Sequence, residues 1–339
     1  MSRPLATALV LALGLAVLPW LLGNEFYVNL TSQILIYALA ALSLNILVGY
    51  AGLTSLGHAA YFGGAAYACA WLISRGGVDP TVAAVGAVAF GTALAAVFGV
   101  LSLRATGLGF LMITLALGQI MWGLAYRWNG LTGGDNGMRM GARPAPLGLD
   151  ISRPMPFYYF TAIVFGVALF CLWRLARSPF GASLRGTRDQ PRRMRMLGHN
   201  VWLVQWVAFV MAGFWGSIAG VLFVYYNQFI SPNTLALQQS AEILLMSILG
   251  GAGSLAGPIV GAVVITLVKN LASSYVDRWN TLLGVIFVVS VMFMPEGLVP
   301  GSQRLWRRFT GTAAKPQADA PPSNAGALVR RSSGRSEGA

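Results

Sequence analysis

The chain has 339 residues, 56% of them hydrophobic and only 10% charged, with a formal net charge of +13. A soluble domain averages about 25% charged residues, so this much apolar surface and a mean hydropathy of +0.66 point to lipid as the solvent. That composition excludes a soluble enzyme, a disordered protein and a disulfide scaffold.

Ten apolar segments follow in chain order, each near the length a membrane helix needs, about 20 residues. They are Leu5–Leu22, Leu30–Val48, Leu53–Ile73, Thr81–Leu103, Gly107–Trp128, Phe157–Ala176, Val201–Tyr226, Leu237–Leu249, Gly257–Leu271 and Thr281–Leu298. The first reads as a span rather than a cleaved leader, because its apolar run is long and no clear Ala-x-Ala cleavage site follows it. The third is rich in Gly and small polar residues, and the eighth and ninth are short. These three read as broken or re-entrant, which a bilayer tolerates only against protein or a wet cavity. Cys69 and Cys171 lie in apolar runs and read as small buried hydrophobes. His58 and His199 stand apart with no Cys/His cluster, so no zinc site is expected.

Of the basic residues, only Lys269 and Lys315 are not Arg, and most of the charge gathers in one loop and one tail. With the N-terminus inside, Arg3, Arg104, seven residues from Arg174 to Arg195 and seven from Arg304 to Arg335 fall inside. Arg75, Arg127, Arg139, Arg143, Arg153 and Arg278 fall outside. Loop charge of this kind sets orientation, here N-in and C-in. Lys269 lies near the outer end of the ninth span, where it can snorkel. The expected fold is therefore an all-α polytopic membrane domain over residues 1–301. A basic tail, 302–339, is too rich in Ala, Pro, Ser and Gly to bury a core. It is either a solvated charge cluster or a contact for anionic lipid.

Two connections are long. Residues 129–156 lie outside and carry Asp-Asn-Gly turn signals. Residues 177–200 lie inside and are strongly basic. In that inner loop Ser178 is placed to cap a helix that starts at Pro179, where the missing N–H costs nothing. Asp189 is placed to cap a second, with Pro191 in its first turn, Met194 and Leu197 on one face, and Gly198 closing it left-handed. Arg192, Arg193 and Arg195 take the other faces. No span needs this amphipathic helix. It serves either as topological charge or as a docking element for a cytosolic partner. The chain holds no P-loop, since neither lysine follows a glycine. Any ATPase is a separate chain.

Polar residues inside spans are few. Glu242 is the acid well inside an apolar run and needs a partner, a wet cavity or a proton. Asn45, His58 and Gln119 also fall in or beside spans, as interhelical glue or as lining of a pathway. Glycines at 57, 63, 64 and from 250 to 261 permit either close packing or an unwound, ligand-binding helix. Ala51-Gly52-Leu53-Thr54-Ser55-Leu56-Gly57 is similar to Gly251-Ala252-Gly253-Ser254-Leu255-Ala256-Gly257, as in paired transporter repeats. No constellation for intramembrane catalysis is present.

The run Leu44-Asn45-Ile46-Leu47-Val48-Gly49-Tyr50-Ala51-Gly52-Leu53-Thr54-Ser55-Leu56-Gly57-His58-Ala59-Ala60-Tyr61-Phe62-Gly63 resembles the signature of branched-chain amino-acid ABC importer permeases, in its Ser-Leu-Gly-His-Ala form. Leu131–Gly137 is similar to that family's outer-loop motif, and Gly181–Asn200 to its cytoplasmic loop. Gly250–Pro258 and Pro295-Glu296-Gly297-Leu298 resemble its late motifs. One departure stands out: Pro191-Arg192-Arg193-Met194 replaces the Glu and small residues that many members carry after Arg-Asp.

The resemblance implies an ABC importer permease fold in the bacterial inner membrane. It also implies a homologous second permease, two cytosolic ATPase subunits that bind the ATP, and a periplasmic binding protein. No cofactor belongs to this chain itself and no nucleic acid is expected. It assigns Arg188, Asp189, Leu197 and Gly198 to ATPase coupling, with Gly181 and Met194 in the same loop. Asn45, Ser55 and His58 then belong to the translocation path, and Gln119 and Glu242 join them as membrane-depth polar groups. Competing readings are a permease of this fold for urea, short amides or aromatic acids, and a secondary transporter or channel without an ATPase.

Overall fold

A computed structural model describes residues 19–20, 23–140, 151–273, 284–285, 292, 297–299 and 301. Most of the expected first and tenth spans, and the tail 302–339, lie outside the described residues.

The described chain is helical apart from one two-residue strand pair. Helix α1 (Glu25–Asn45) runs into a π-helical segment, Ile46–Ala51. Then come α2 (His58–Ser74), α3 (Pro80–Ser102), α4 (Leu108–Arg127) and the single turn α5 (Asn129–Thr132). After β1 (Met138–Arg139) come α6 (Pro154–Arg177), the short α7 (Pro179–Asp189) and α8 (Pro191–Met196), and the long α9 (Val201–Asn227). β2 (Phe229–Ile230) leads to α10 (Leu237–Gly250) and α11 (Ala256–Ser273). Five helical stretches are long and apolar enough to cross a bilayer: Glu25–Ala51, Pro80–Ser102, Leu108–Arg127, Pro154–Arg177 and Val201–Asn227. Ala256–Leu271 is a shorter apolar helix. Helices α2 and α10, the expected third and eighth segments, have 17 and 14 residues.

Helix starts follow local chemistry. The Asn24 side chain accepts the Phe26 N–H, and Glu25 suits the positive end of the helix. Asp79 accepts the Thr81 N–H at 2.8 Å ahead of Pro80. That bond holds the exposed Asp79 carboxyl below the usual carboxylate range. Asn200 accepts the Leu203 N–H at 3.1 Å to start α9.

Burial divides the spans. The apolar window of Glu25–Ala51 is 83% buried and that of α9 67%, against 22–33% for α3, α4 and α6. Helices α1 and α9 are thus the axis, with α2, α10 and α11 packed on them and α3, α4 and α6 outermost. A strip of small residues on α3 (Ala83, Ala87, Gly91, Ala95, Gly99), one every fourth position, faces α9. Close approach of backbones is the main source of helix affinity where lipid tails are as apolar as leucine. Cys69 is buried as expected, but Cys171 is exposed. Helix α6 buries a single face, through Thr161, Phe165, Ala168 and Leu172, and Cys171 lies off it.

Met138 and Arg139 pair antiparallel with Ile230 and Phe229, tying the loop after α5 to the chain entering α10. Sequence periodicity gives no sign of so short a pair. Gly133, Gly134 and Gly137 all take positive φ beside it, as the Gly-rich motif there requires.

Candidate functional site

The loop between α6 and α9 folds largely as its turn chemistry dictates. Ser178 Oγ accepts the Gly181 N–H at 3.2 Å and caps α7. Gly181 is buried where α7 closes on the end of α6, so close that a methyl there would meet the Leu175 and Ala176 carbonyls. Gly198 closes α8 with φ of +85°, and the His199 N–H returns to the Met194 carbonyl at 3.0 Å.

Two expectations are corrected. Asp189 does not cap α8. It is the last residue of α7, and its carboxylate accepts Arg188 Nε at 2.8 Å. The break falls at Gln190, which the following Pro191 forces out of the helical region. Met194 does not share an outer face with Leu197. It turns back onto α7, with its sulfur close to Gly186. Met196 takes the outer position beside Leu197; they are 86% and 69% exposed.

Arg188 reaches the π-helical segment after α1 instead. Its guanidinium donates from Nη1 to the Gly49 carbonyl at 2.5 Å. Gly52 ends that segment left-handed (φ +71°), and a methyl there would strike the Arg188 side chain. Across from it, Asn45 binds the turn between α10 and α11. Its Oδ1 accepts the Gly253 N–H at 2.9 Å, and its Nδ2 donates to the Ser254 carbonyl at 2.8 Å. The two similar sequence segments, 51–57 and 251–257, therefore occupy corresponding breaks, and residues at both breaks meet through Asn45 and Arg188. Ser254 Oγ accepts the Gly257 N–H at 3.0 Å and starts α11.

The other expected path residues are scattered. His58 opens α2, is fully buried, and shares a 2.7 Å hydrogen bond with Ser43 Oγ of α1. Ser55 is buried and accepts the Gly57 N–H at 3.3 Å. The start of α2 is held from three sides, since Leu56 N–H donates to Thr114 and Ala59 N–H to Ser240. Gln119 is half-buried on the outward side of α4, in a shallow concavity with Ile120, Trp122 and Arg127. Glu242 is 4% exposed and pairs with Lys269 Nζ of α11 at 3.0 Å. The signal for that pair was in the sequence, since Lys269 is the one cation inside the ninth apolar segment. Asn270 donates to Gln33 at 3.4 Å beside it. An apolar slot of about 490 Å³ opens between α2, α3 and α4, lined by Tyr67, Trp71, Phe90, Met121 and Trp128 among others. None of the expected path residues lines it.

The geometry thus gives a basic helix pair joined by one arginine to the π-helical end of a membrane helix. Residues 26–294 match the model of the branched-chain amino acid transport system permease component. The chain belongs to this permease family. The LivM permease of the high-affinity branched-chain amino acid transport system is 28% identical in Salmonella typhimurium, over 86% of this chain and 74% of LivM. Escherichia coli LivM is 28% identical over 91% of this chain and 78% of its own length. The autoinducer 2 import permease LsrC of Photorhabdus laumondii is 34% identical over 37% of this chain and 38% of LsrC. No solved structure matches. The permease is accordingly a multi-span inner-membrane transport subunit and not an enzyme, without a cofactor of its own and with its ATPase on another chain.

Proposed function

We propose that this permease is one half of the translocation unit of an ATP-driven importer of branched-chain amino acids. It crosses the membrane ten times, N-in and C-in, and pairs with a homologous permease. Two ATPase subunits bind beneath, and a periplasmic binding protein delivers substrate from outside. The observation that carries this reading is the inner helix pair. Met196 and Leu197 present an exposed apolar edge flanked by Arg192, Arg193 and Arg195, on a helix that no span requires. Such an edge suits a groove on a soluble protein, and Gly181 and Arg188 fix its other side to the membrane domain. The relatives that cover most of the chain are named for branched-chain amino acid transport, which supports that substrate over urea, short amides or aromatic acids.

Replacing both Met196 and Leu197 by Asp is expected to leave the permease in the membrane while its ATPase subunits no longer copurify and labelled leucine uptake is lost. Normal copurification and uptake in that double variant would sink the docking assignment.

A further inference from the structure

The break between α1 and α2 lies against the break between α10 and α11. Both are narrow. A methyl on Gly49 would come within 2.7 Å of the Gly253 Cα, and one on Gly253 within 3.4 Å of the Gly49 carbonyl oxygen. The α1 side of this junction is π-helical, a geometry that holds one residue more per hydrogen-bonded ring than an α-helix and occurs mainly as short interruptions. The carbonyls at its end have lost their helical partners and carry the negative end of the helix dipole. One cation meets them. The Arg188 fork spends Nε on Asp189 at 2.8 Å and Nη1 on the Gly49 carbonyl at 2.5 Å. The same Nη1 lies 3.8 Å from where a Gly253 methyl would stand. Asn45 locks the α10–α11 turn to the same stretch from the other side.

We propose that Arg188 is a positioning residue that clasps the π-helical end of α1 to α7, while Asn45 carries the α10–α11 turn along with it. A displacement of the cytoplasmic helix pair then moves the π-helical end of α1 and the α10–α11 turn as one unit. The contact is a charge-assisted bond to an orphan helix carbonyl, so it holds in only one register of that segment. Asp189, placed by sequence as a helix cap, instead keeps the guanidinium plane aimed. The inference rests on the docking reading of α8, and it assigns to the loop a second, separate contact on its membrane side.

The test uses the whole complex in proteoliposomes, with permeases, ATPase subunits and binding protein. Arg188→Ala removes both bonds of the fork. Stimulation of hydrolysis by the leucine-loaded binding protein falls about tenfold or more, the scale of a lost charged hydrogen bond, and leucine uptake falls with it. Arg188→Lys keeps the charge without the fork. It is expected to assemble fully and to transport fewer leucines per ATP hydrolysed, a ratio that a residue needed only for folding would leave unchanged. An unaltered ratio in Arg188→Lys overturns the clasp even if Arg188→Ala fails to assemble. Loss of copurifying ATPase in Arg188→Lys also overturns it, since Arg188 would then support docking alone. A failure of the docking reading shows elsewhere, as retained ATPase in the Met196, Leu197 double Asp variant.

Discussion

Within a bilayer a polar side chain has no water to fall back on, so each one must be settled by a protein neighbour. Glu242 is settled by Lys269 at 3.0 Å. Glu242→Gln leaves a cation without its carboxylate, and breaking a buried pair in this way costs about 3–5 kcal/mol. The double variant Glu242→Gln, Lys269→Met should recover most of that loss in detergent thermal melts. If it melts as low as the single variant, the pair is not what holds α10 to α11. Asn45 is a second case. Asn45→Ala strands the Gly253 N–H and the Ser254 carbonyl, and each unmade bond costs about 1–3 kcal/mol. A lowered melting temperature measures this. Sequence alone picked out Asn45 and Glu242 as polar residues in apolar runs. It did not reveal the partner of Asn45, a turn 208 residues away along the chain, and for Glu242 it offered only a lone cation 27 residues on.

At the scale of elements, the outer helices depend on small side chains and caps. On α9, a methyl at Gly220 would overlap the Phe62 backbone carbonyl of α2. Gly220→Ala should therefore destabilise by about 1–3 kcal/mol, the usual cost of overpacking, and a differential melt against wild type reads it. The Asp79 cap gives a pH dependence. Its carboxyl is held below the ordinary range in the folded chain by the Thr81 N–H. The cap therefore contributes stability above the unfolded carboxylate pKa and loses it as pH falls through the lower, folded value. Amide protection factors at the start of α3, corrected for the intrinsic pH dependence of exchange, should fall over that acidic window in the wild type and stay flat in Asp79→Ala. The start at Pro179 was legible because capping and proline positions act over three or four residues, whereas α1 begins at Glu25 rather than Leu30 and α2 at His58 rather than Leu53. The exceptions were local contests: Pro191 moved a break from Asp189 to Gln190, and a two-residue strand pair is too short to have a period.

For the whole molecule, α1 and α9 form the axis, while α3, α4 and α6 leave most of their apolar area uncovered. That is the arrangement expected of a subunit with lipid and a second permease around it. Cells lacking the permease should lose labelled leucine uptake and regain it from a plasmid copy. Unchanged uptake would turn attention to the other substrates of this fold. Composition, periodicity and five ordered motifs by themselves determined the membrane class, the helical framework, the basic loop between α6 and α9 and the family resemblance. Each of these follows from the solvent or from chemistry within one turn of chain. Only the tertiary structure decided which polar residues meet. It buried His58 against Ser43, paired Glu242 with Lys269, turned Met194 inward and Met196 outward, and brought Arg188 to Gly49. Those contacts depend on how helices distant in sequence pack, and a pattern of three or four residues carries no information about packing at that range.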